Sequence, residues 1–316
     1  MLFRSERGAK VQAQWSAEFT QWEGAHPERA KLLQRMRSGR IDGSILEQIT
    51  ANFPSDKEIS TRKASGDTIQ KISELLPEFW GGSADLAESN NTTIEGGGDF
   101  LPENPYGRII HFGIREHAMG SLMNGIALHG GTRIFGGTFL VFSDYMRPTA
   151  RLAALMNLPV TFIWSHDSIG LGEDGPTHQP VEHCAALRAI PGLAVIRPAD
   201  ANEVAIAWRH ILSSNKPAAL LLSRQNLPVF DRGQLAPAEG VSKGAYILLE
   251  PAQQPDAIII ATGSEVALAV AAAELAKGEG LHIRVVSAPC LEWFNQESEQ
   301  YRENVLPKSI KARVSV

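Results

Sequence analysis

Residues 193–223, LAVIRPADANEVAIAWRHILSSNKPAALLLS, decide the fold class. Leu193–Arg197 is an apolar run of strand length, and Ala218–Ser223 is a second one. Between them Asp200 precedes Glu203 at the spacing of a capping box, in which side-chain oxygens take up amide protons that the first helical turn leaves unpaired. The helix so opened runs to about Ser213. Strand, helix and strand in this length make one crossover unit, so the flanking strands lie parallel.

Outward from this unit the alternation continues. Val160–Ser165 reads as a strand, and Pro180–Arg188 as a helix with proline at its first position. Asp144–Met156 is a helix, Ile134–Phe135 a short strand, and Phe79–Leu86 and Arg108–Phe112 two more strands. Glu116–His129 is a helix carrying Met119, Met123, Ile126 and Ala127 on one face and stopped by Gly130-Gly131. Strands alternating with helices predict an α/β domain with a mostly parallel sheet and helices on both faces.

Ahead of it, Trp15, Phe19, Trp22, Leu32, Leu33 and Met36 recur at helical spacing, interrupted by Gly24 and Pro27, which predicts two helices in a connecting arm. Met1–Ser5 matches no recognisable element. Gly39–Ser65 reads as polar linker leading to a helix over Gly66–Leu76. After a low-information connector, Asp231–Gly244, Asp256–Thr262 is a strand, Ser264 caps an alanine-rich helix to Lys277 that Gly278 stops, and His282–Ser287 is the next strand. Lys311–Val316 begins to look like one more. The expected division is an arm at 1–56, the α/β domain at 57–235, and an incomplete second α/β domain at 236–316. A sheet of two or three strands there would leave an edge and an apolar face uncovered.

The 316 residues are 43% apolar and 21% charged, the composition of a folded globular chain. Net charge is −5 and no basic stripe with interleaved aromatics occurs, which argues against a nucleic-acid partner. The cluster Arg29–Arg40 reads as a solvated helix face. Cys184 and Cys290 are too far apart for a zinc motif and suggest no disulfide framework, so a reducing cytoplasm fits; Cys184 reads as a small buried hydrophobe. No apolar run reaches membrane-spanning length, and the start MLFRSERGAK lacks the apolar stretch of a signal peptide.

Polar residues gather just after the carboxyl ends of the expected strands: Asp85 and Ser89, then Arg115, Glu116 and His117, then His166, Asp167 and Ser168, with Asp174 and His178 in the following loop. Open α/β sheets bind ligands at that edge. The loop 166–178, HDSIGLGEDGPTH, offers little to a core and reads as a disordered tip or a held binding surface. His166, Asp174 and His178 match no zinc spacing, so no metal is assigned to them; hydroxyl-rich or phosphorylated small molecules suit them better. Glu116 has two readings. It is a first-turn glutamate favoured by the helix dipole or, if buried, a carboxyl that shares a proton with a ring nitrogen. Phe135, Phe139, Phe142 and Tyr145 likewise form either a core stripe or, beside a turn at Gly136-Gly137-Thr138, a stack for a flat heterocycle.

Over Lys10–Val316 the sequence resembles the transketolase family, through Gly81-Gly-Ser-Ala-Asp-Leu86, Gly113-Ile-Arg-Glu-His-Ala-Met-Gly120, Gly136-Gly-Thr-Phe139, HDSIGLGEDGPTHQP at 166–180, Arg197-Pro-Ala-Asp200, Leu222-Ser-Arg-Gln-Asn226 and Ala261-Thr-Gly-Ser-Glu265. The resemblance implies a pyrimidine-type thiamine-diphosphate-binding fold and transfer of a two-carbon ketol unit between sugar phosphates. It implies that Glu116 hydrogen-bonds N1′ of the cofactor's aminopyrimidine, with Phe139 stacked on that ring and Phe142 and Tyr145 completing the pocket. His166 and Asp174 then bind donor hydroxyls, His178 acts at the sugar's first carbons, and Arg62, Ser89 and Arg224 hold the acceptor's phosphate. The family's Gly-Asp-Gly signature for Mg2+ or Ca2+ and diphosphate is absent, as is the domain that carries it. A homodimer of this chain would therefore lack half of each site: either a companion chain carrying the diphosphate-binding domain supplies it, or the sequence is an incomplete gene product of an enzyme that is a homodimer when complete, the reading that the unmatched Met1–Ser5 favours. Dihydroxyacetone synthase, or an inactive fragment or binding subunit, stands as the alternative.

Overall fold

The structure is a computed structural model that describes residues 2–50 and 52–316. The arm is two helices, α1 (Leu2–Ala25) and α2 (Pro27–Ser38), as the apolar spacing predicts. The break falls at His26 because Pro27, lacking an amide proton, is tolerated at a first helical position and not inside a helix. Residues 2–5, which carry no readable signal, are already helical, whereas Met1 lies outside the described residues. The basic cluster is not merely solvated: Arg35 closes a two-pronged ion pair on buried Glu78 at 2.7 and 2.8 Å, which fastens the arm to the domain.

A short α3 (Gly43–Leu46) and β1 (Glu58–Ile59) lead to α4 (Thr61–Leu75). This helix starts earlier than its apolar pattern indicates because Ser60 caps it, and because Thr61 and Ser223 exchange hydrogen bonds at 3.0 and 2.6 Å. That tie holds Arg62 at the end of the sheet.

Then follow β2 (Phe79–Ser83), α5 (Ala87–Asn90), β3 (Ile109–His111), α6 (Glu116–His129), β4 (Arg133–Phe139), α7 (Ser143–Leu155), β5 (Val160–Ser165), α8 (His183–Arg188), β6 (Ala194–Ile196), α9 (Ala201–Ser214), β7 (Ala218–Leu222) and β8 (Leu227–Pro228), the last paired antiparallel with β1. Six strands form one parallel sheet in the order β3-β2-β4-β5-β7-β6. On one face Phe79, Phe135, Ile163 and Leu220 bury against α4 and α9, with Trp208 edge-on to Phe79 and its indole donating to Ser65 at 2.9 Å. On the other, Ile134, Phe162, Trp164 and Leu221 bury with Met119 and Met123 of α6. Each such side chain contributes about 1.5–3 kcal/mol by leaving water.

Two boundaries differ from the sequence reading for a stated reason. Gly136 and Gly137 are not a turn but the middle of β4. A Cβ on Gly136 would lie 2.3 Å from Met123 Sδ, and one on Gly137 2.8 Å from Thr92 Cγ2, so glycine is required by what presses on the strand. The helix expected from Pro180 starts at His183.

The connector contributes a 3-10 turn (Ala238–Lys243) with Val241 fully buried. Beyond it lie β9 (Tyr246–Leu249), β10 (Ala257–Ala261), α10 (Glu265–Gly278), β11 (Ile283–Ser287), α11 (Leu291–Phe294), α12 (Glu299–Val305) and β12 (Arg313–Ser315). The sheet has four strands, β12-β10-β11-β9, the last antiparallel. Both faces are covered, against expectation: Val266, Ala269 and Ala273 of α10 pack on one, and Phe294 and Val305 of α11 and α12 on the other. The uncovered edge is real, for β12 is exposed along its length. Exposed apolar side chains also line α6 (Leu122, Leu128) and α7 (Leu152, Leu155).

Two buried polar clusters weld the domains. At the N-terminus of α9, Asp200 accepts from the Glu203 amide at 2.8 Å, as the capping box requires, but the Glu203 side chain takes the Ala199 amide instead of the cap's own. Glu203 also accepts from Tyr246 and Ser287 of the second domain, each at 2.7 Å, and burial, reinforced by Asp200, pushes its carboxyl pKa up. In the second cluster Arg197, after β6, donates to Asp167 at 2.6 Å, to the Thr262 carbonyl at 3.0 Å, to Ser264 at 3.2 Å and to Glu265. Ser264 is thereby engaged with Arg197 and Glu265, and does not cap α10 through its side chain. Replacing Arg197 by alanine leaves Asp167 buried without its counter-charge, which should lower the unfolding free energy in urea by about 3–5 kcal/mol. A loss below about 1 kcal/mol would show that the seam does not depend on this pair.

Candidate active site

The loop 166–178 is held, not a disordered tip. Leu171 at its centre is fully buried, and Gly170 lies so close to Gln225 that an added Cβ would meet that side chain at 2.7 Å. His166, directly after β5, has φ +60, a left-handed conformation that costs a non-glycine residue free energy and persists where surrounding contacts enforce it. Those contacts are the Phe139 ring, stacked on the imidazole with centroids 3.7 Å apart, and Asp167 behind it, clamped by Arg197.

Around the buried His166 ring the fold gathers Arg62 from α4, Asp174 and His178 from the loop, and Arg224 from the turn after β7. Asp174 Oδ2 lies 3.9 Å from His166 Nε2. Burial first, then the charge on Arg62, and further Arg224 and His178, press the imidazole pKa down to about 4 against the opposing pull of Asp174. Arg62 lies below the ordinary guanidinium pKa through burial and the repulsion of Arg224. Ser89 belongs to the same corner through its backbone, for its carbonyl accepts from Arg62 at 2.7 Å. Arg224 is paired with the exposed Glu173 at 2.9 Å, a loop carboxylate that the sequence analysis does not single out. The only early signal was its position in the loop. Two guanidinium groups so close, one held by an exposed carboxylate, form a site for a dianion such as a phosphate ester.

A second group stands on the adjoining strands. Phe139, Phe142 and Tyr145 stack as a staircase, with centroids 5.8 and 6.0 Å apart and planes tilted by 11° and 27°. His178 sets its edge against Phe139 and Phe142 at 5.9 and 5.3 Å, which joins the staircase to the loop. Phe139 is buried and one face is taken by His166, whereas Tyr145 is exposed and Phe142 half-buried. The face open to a flat ring therefore runs along Phe142 and Tyr145.

Glu116 opens α6 after a left-handed Gly113. Its helix is pressed onto α7, where a Cβ on Gly120 would meet Thr149 Oγ1 at 2.1 Å and where Asn124 donates to the Thr149 carbonyl at 2.9 Å. Glu116 is 8% exposed, and its carboxyl group makes no hydrogen bond or ion pair with any described residue. A carboxyl group at the sheet edge that keeps surface access and has no internal donor is free to pair with an N–H or ring nitrogen brought by a ligand.

Beside the staircase, Asp144 with Glu182 and His183 makes the one group among the described residues close enough to share a metal ion; the carboxylates are exposed, and His183 Nε2 lies 3.4 Å from Asp144. A cavity of about 400 Å³ beside Ser89 is lined by Ser83, Asp85, Thr92, His111 and Arg115, of which Thr92 and His111 carried no signal in the sequence.

Residues 57–229 match the family described as "Transketolase, pyrimidine binding domain", and residues 244–316 the "Transketolase-like TK C-terminal domain". The chain is 51% identical over 327 aligned residues to the transketolase of Mycobacterium tuberculosis H37Rv, covering 98% of this chain and 46% of that protein. It superposes on the transketolase of Pichia stipitis in complex with sedoheptulose 7-phosphate with TM-score 0.89 and 44% identity, covering 95% of this chain and 45% of the other. A more distant neighbour is described as a split gene transketolase, inactive beta4 tetramer, with TM-score 0.58 and 25% identity over 74% of this chain and 73% of its own. The chain thus spans about half the length of the curated relatives it matches.

The depressed His166 pKa fixes a sign for acid stability. Unfolded, the imidazole takes a proton near 6.5; folded, it resists until about 4. Below pH 6.5 the unfolded state binds more protons, so stability is full above that pH and falls as pH drops toward 4, by on the order of 3 kcal/mol. Urea denaturation across this window should show the slope in the parent chain, and His166→Gln should flatten it. An unchanged slope in the variant would place the titration elsewhere.

Proposed function

The chain belongs to the transketolase family, and from that premise we propose that it supplies the pyrimidine-binding and sugar-phosphate-binding half of a ketol-transferring active site, with 57–235 as the pyrimidine-binding unit and 236–316 as the partial C-terminal unit. The observation that carries the reading is Glu116, a residue 8% exposed whose carboxyl group has no partner among the described residues and stands at the same sheet edge as an aromatic staircase. Thiamine diphosphate, bound there, supplies the carbon nucleophile and electron sink for breaking a bond next to a carbonyl.

What this chain contributes is positioning and proton placement. Glu116 exchanges a hydrogen bond with the pyrimidine nitrogen in a pocket where water competes little. Phe142 and Tyr145 present their faces to the flat ring, with Phe139 behind them. Arg62 and Arg224, with Ser89 beside them, take the substrate phosphate, for which Arg224 exchanges its contact with Glu173. That anchoring fixes the distance at which the sugar's other end meets His178, while Asp174 and His166 read hydroxyls between.

The diphosphate and its Mg2+ or Ca2+ are assigned to a different domain, on the same polypeptide in a homodimer or on a companion subunit in a cytoplasmic complex. The exposed apolar side chains of α6 and α7 favour such a partner, and so does the likeness to a split gene transketolase. No helix among the described residues is long and apolar enough to cross a membrane. The inactive state named for that neighbour favours a second reading, in which this chain alone is a binding subunit without turnover.

The test combines the chain with a diphosphate-binding transketolase domain, thiamine diphosphate and Mg2+, and follows xylulose 5-phosphate consumption with ribose 5-phosphate as acceptor. Turnover is expected in the mixture and not with either part alone. Glu116→Gln should reduce it at least about 100-fold while leaving the melting temperature close to the parent's. Parent-like turnover in that variant would remove Glu116 from its role.

A further inference from the structure

Beside the aromatic staircase the chain brings together three groups that the reading above leaves unused. Asp144 is the second residue of α7, Glu182 immediately precedes α8, and His183 is the first residue of α8. Arg147 of α7 donates to the Ala186 carbonyl of α8 at 3.0 Å, so the two helices are fastened where these groups meet. The His183 side chain is only 6% exposed, whereas those of Asp144 and Glu182 are 60% and 72% exposed. Asp144 Oδ2 lies 3.4 Å from His183 Nε2, and Glu182 Oε2 lies 3.9 Å from His183 Nδ1. Both ring nitrogens are closed to solvent, yet neither has a hydrogen-bond partner.

A neutral imidazole carries one N–H and one lone pair. Here a carboxylate oxygen stands on each side of the ring, so in either tautomer a lone pair faces a carboxylate across a gap. Two acceptors opposite each other are completed by a cation. A proton is one such cation, but an imidazolium draws its carboxylates to the roughly 2.7–2.9 Å of a charge-assisted hydrogen bond. Both observed separations are longer. Zn2+ takes nitrogen and carboxylate oxygen at about 2.0–2.2 Å, and a tetrahedral arrangement then sets its ligand atoms about 3.3–3.5 Å apart. The 3.4 Å between His183 Nε2 and Asp144 Oδ2 has that spacing. One ligand atom from each of the three residues lies within 4.8 Å of the others, a distance that rotation of the exposed carboxylates can close.

We propose that His183, Asp144 and Glu182 form a site for a divalent first-row transition ion such as Zn2+, with water completing the coordination. The donor set selects the ion. One imidazole nitrogen beside two carboxylates suits Zn2+ and its neighbours in the series, whereas Mg2+ takes oxygen ligands and gives up its waters reluctantly. All three ligands come from this chain, and the site does not rest on the ketol-transfer reading. A bound ion fastens the first turn of α7, which carries Tyr145, to α8, and so stiffens the outer step of the staircase.

Titration of the full chain with Zn2+ near neutral pH, in competition with a chromogenic chelator, should show the ion bound at micromolar concentration. Asp144→Asn should weaken that binding at least about tenfold and His183→Gln about 100-fold, no less than is lost when a group that merely orients a metal ligand is removed. Asp144 is exposed, so its variant keeps the fold and decides the question even if His183→Gln does not. Saturating Zn2+ should also raise the melting temperature of the parent, a shift that Asp144→Asn should lose. Millimolar Mg2+ should leave the Zn2+ in place. Absence of Zn2+ binding by the parent at about 100 μM would overturn the proposal and leave the three groups as a surface ion pair of little consequence. Binding that survives Asp144→Asn unchanged would also overturn it, placing the ion elsewhere, as at the exposed pair His111 and Asp99. Displacement by Mg2+ would overturn the assignment to a transition ion.

Discussion

The guanidinium group of Arg197 is the constraint on which the site hangs. Its side chain is nearly closed to solvent, and so is the Asp167 carboxylate, whose Oδ2 it meets while the buried Oδ1 has no hydrogen-bond partner. Burial alone pushes the Arg197 pKa down, yet Asp167 and Glu265 together hold it above its ordinary value. Such a pair gains little over apolar packing, but once both ions are buried neither can be removed without leaving the other stranded. Its backbone is committed as well, with its amide bound to Pro289 at 2.8 Å and its carbonyl accepting from Gly263 at 3.0 Å. One residue thus ties the second domain to the end of β5, and His166 is the neighbour of the carboxylate it grips.

From that anchor the site acquires its character by accumulation of unmet demand. His166 is held in left-handed backbone and kept neutral by burial and nearby positive charge. Arg62 and Arg224 repel one another, and the exposed Glu173 satisfies only the second. Glu116 is buried without a donor. The left-handed, neutral His166 and the two mutually repelling guanidinium groups cost folding free energy, and all of these groups keep hydrogen-bonding capacity that the chain itself does not use. Binding energy is placed where the empty site is least content.

The domain weld gives the second unit, whose sheet has an open edge, a face on which to bury its apolar side chains. Its sheet shares one continuous apolar core with the first domain, running from Leu220 and Trp208 to Val266, Val285 and Trp293. Glu203, Tyr246 and Ser287 close hydrogen bonds across the same seam. Area buried against a neighbour substitutes for strands of its own.

Period and punctuation in the sequence were enough for the parallel α/β architecture, the helix at Glu116–His129 and the strand at Val160–Ser165, because apolar spacing reports directly which face is buried. Motif resemblance was enough to single out Arg62, Ser89, Glu116, the three aromatic rings, His166, Asp174, His178 and Arg224. Tertiary structure alone decided the rest. Glycines at 136 and 137 look like a turn until Met123 and Thr92 are seen pressing on them, and the tyrosine-led strand at 246–249 is too short to announce itself. The partners of Arg197, the contacts that link Ser83, Asn90 and Ser165 to His166, and the absence of any internal partner for the Glu116 carboxyl group among the described residues depend on groups far apart in the chain. Local sequence encodes propensity and period, whereas hydrogen-bond direction and charge balance are set by which distant atoms meet.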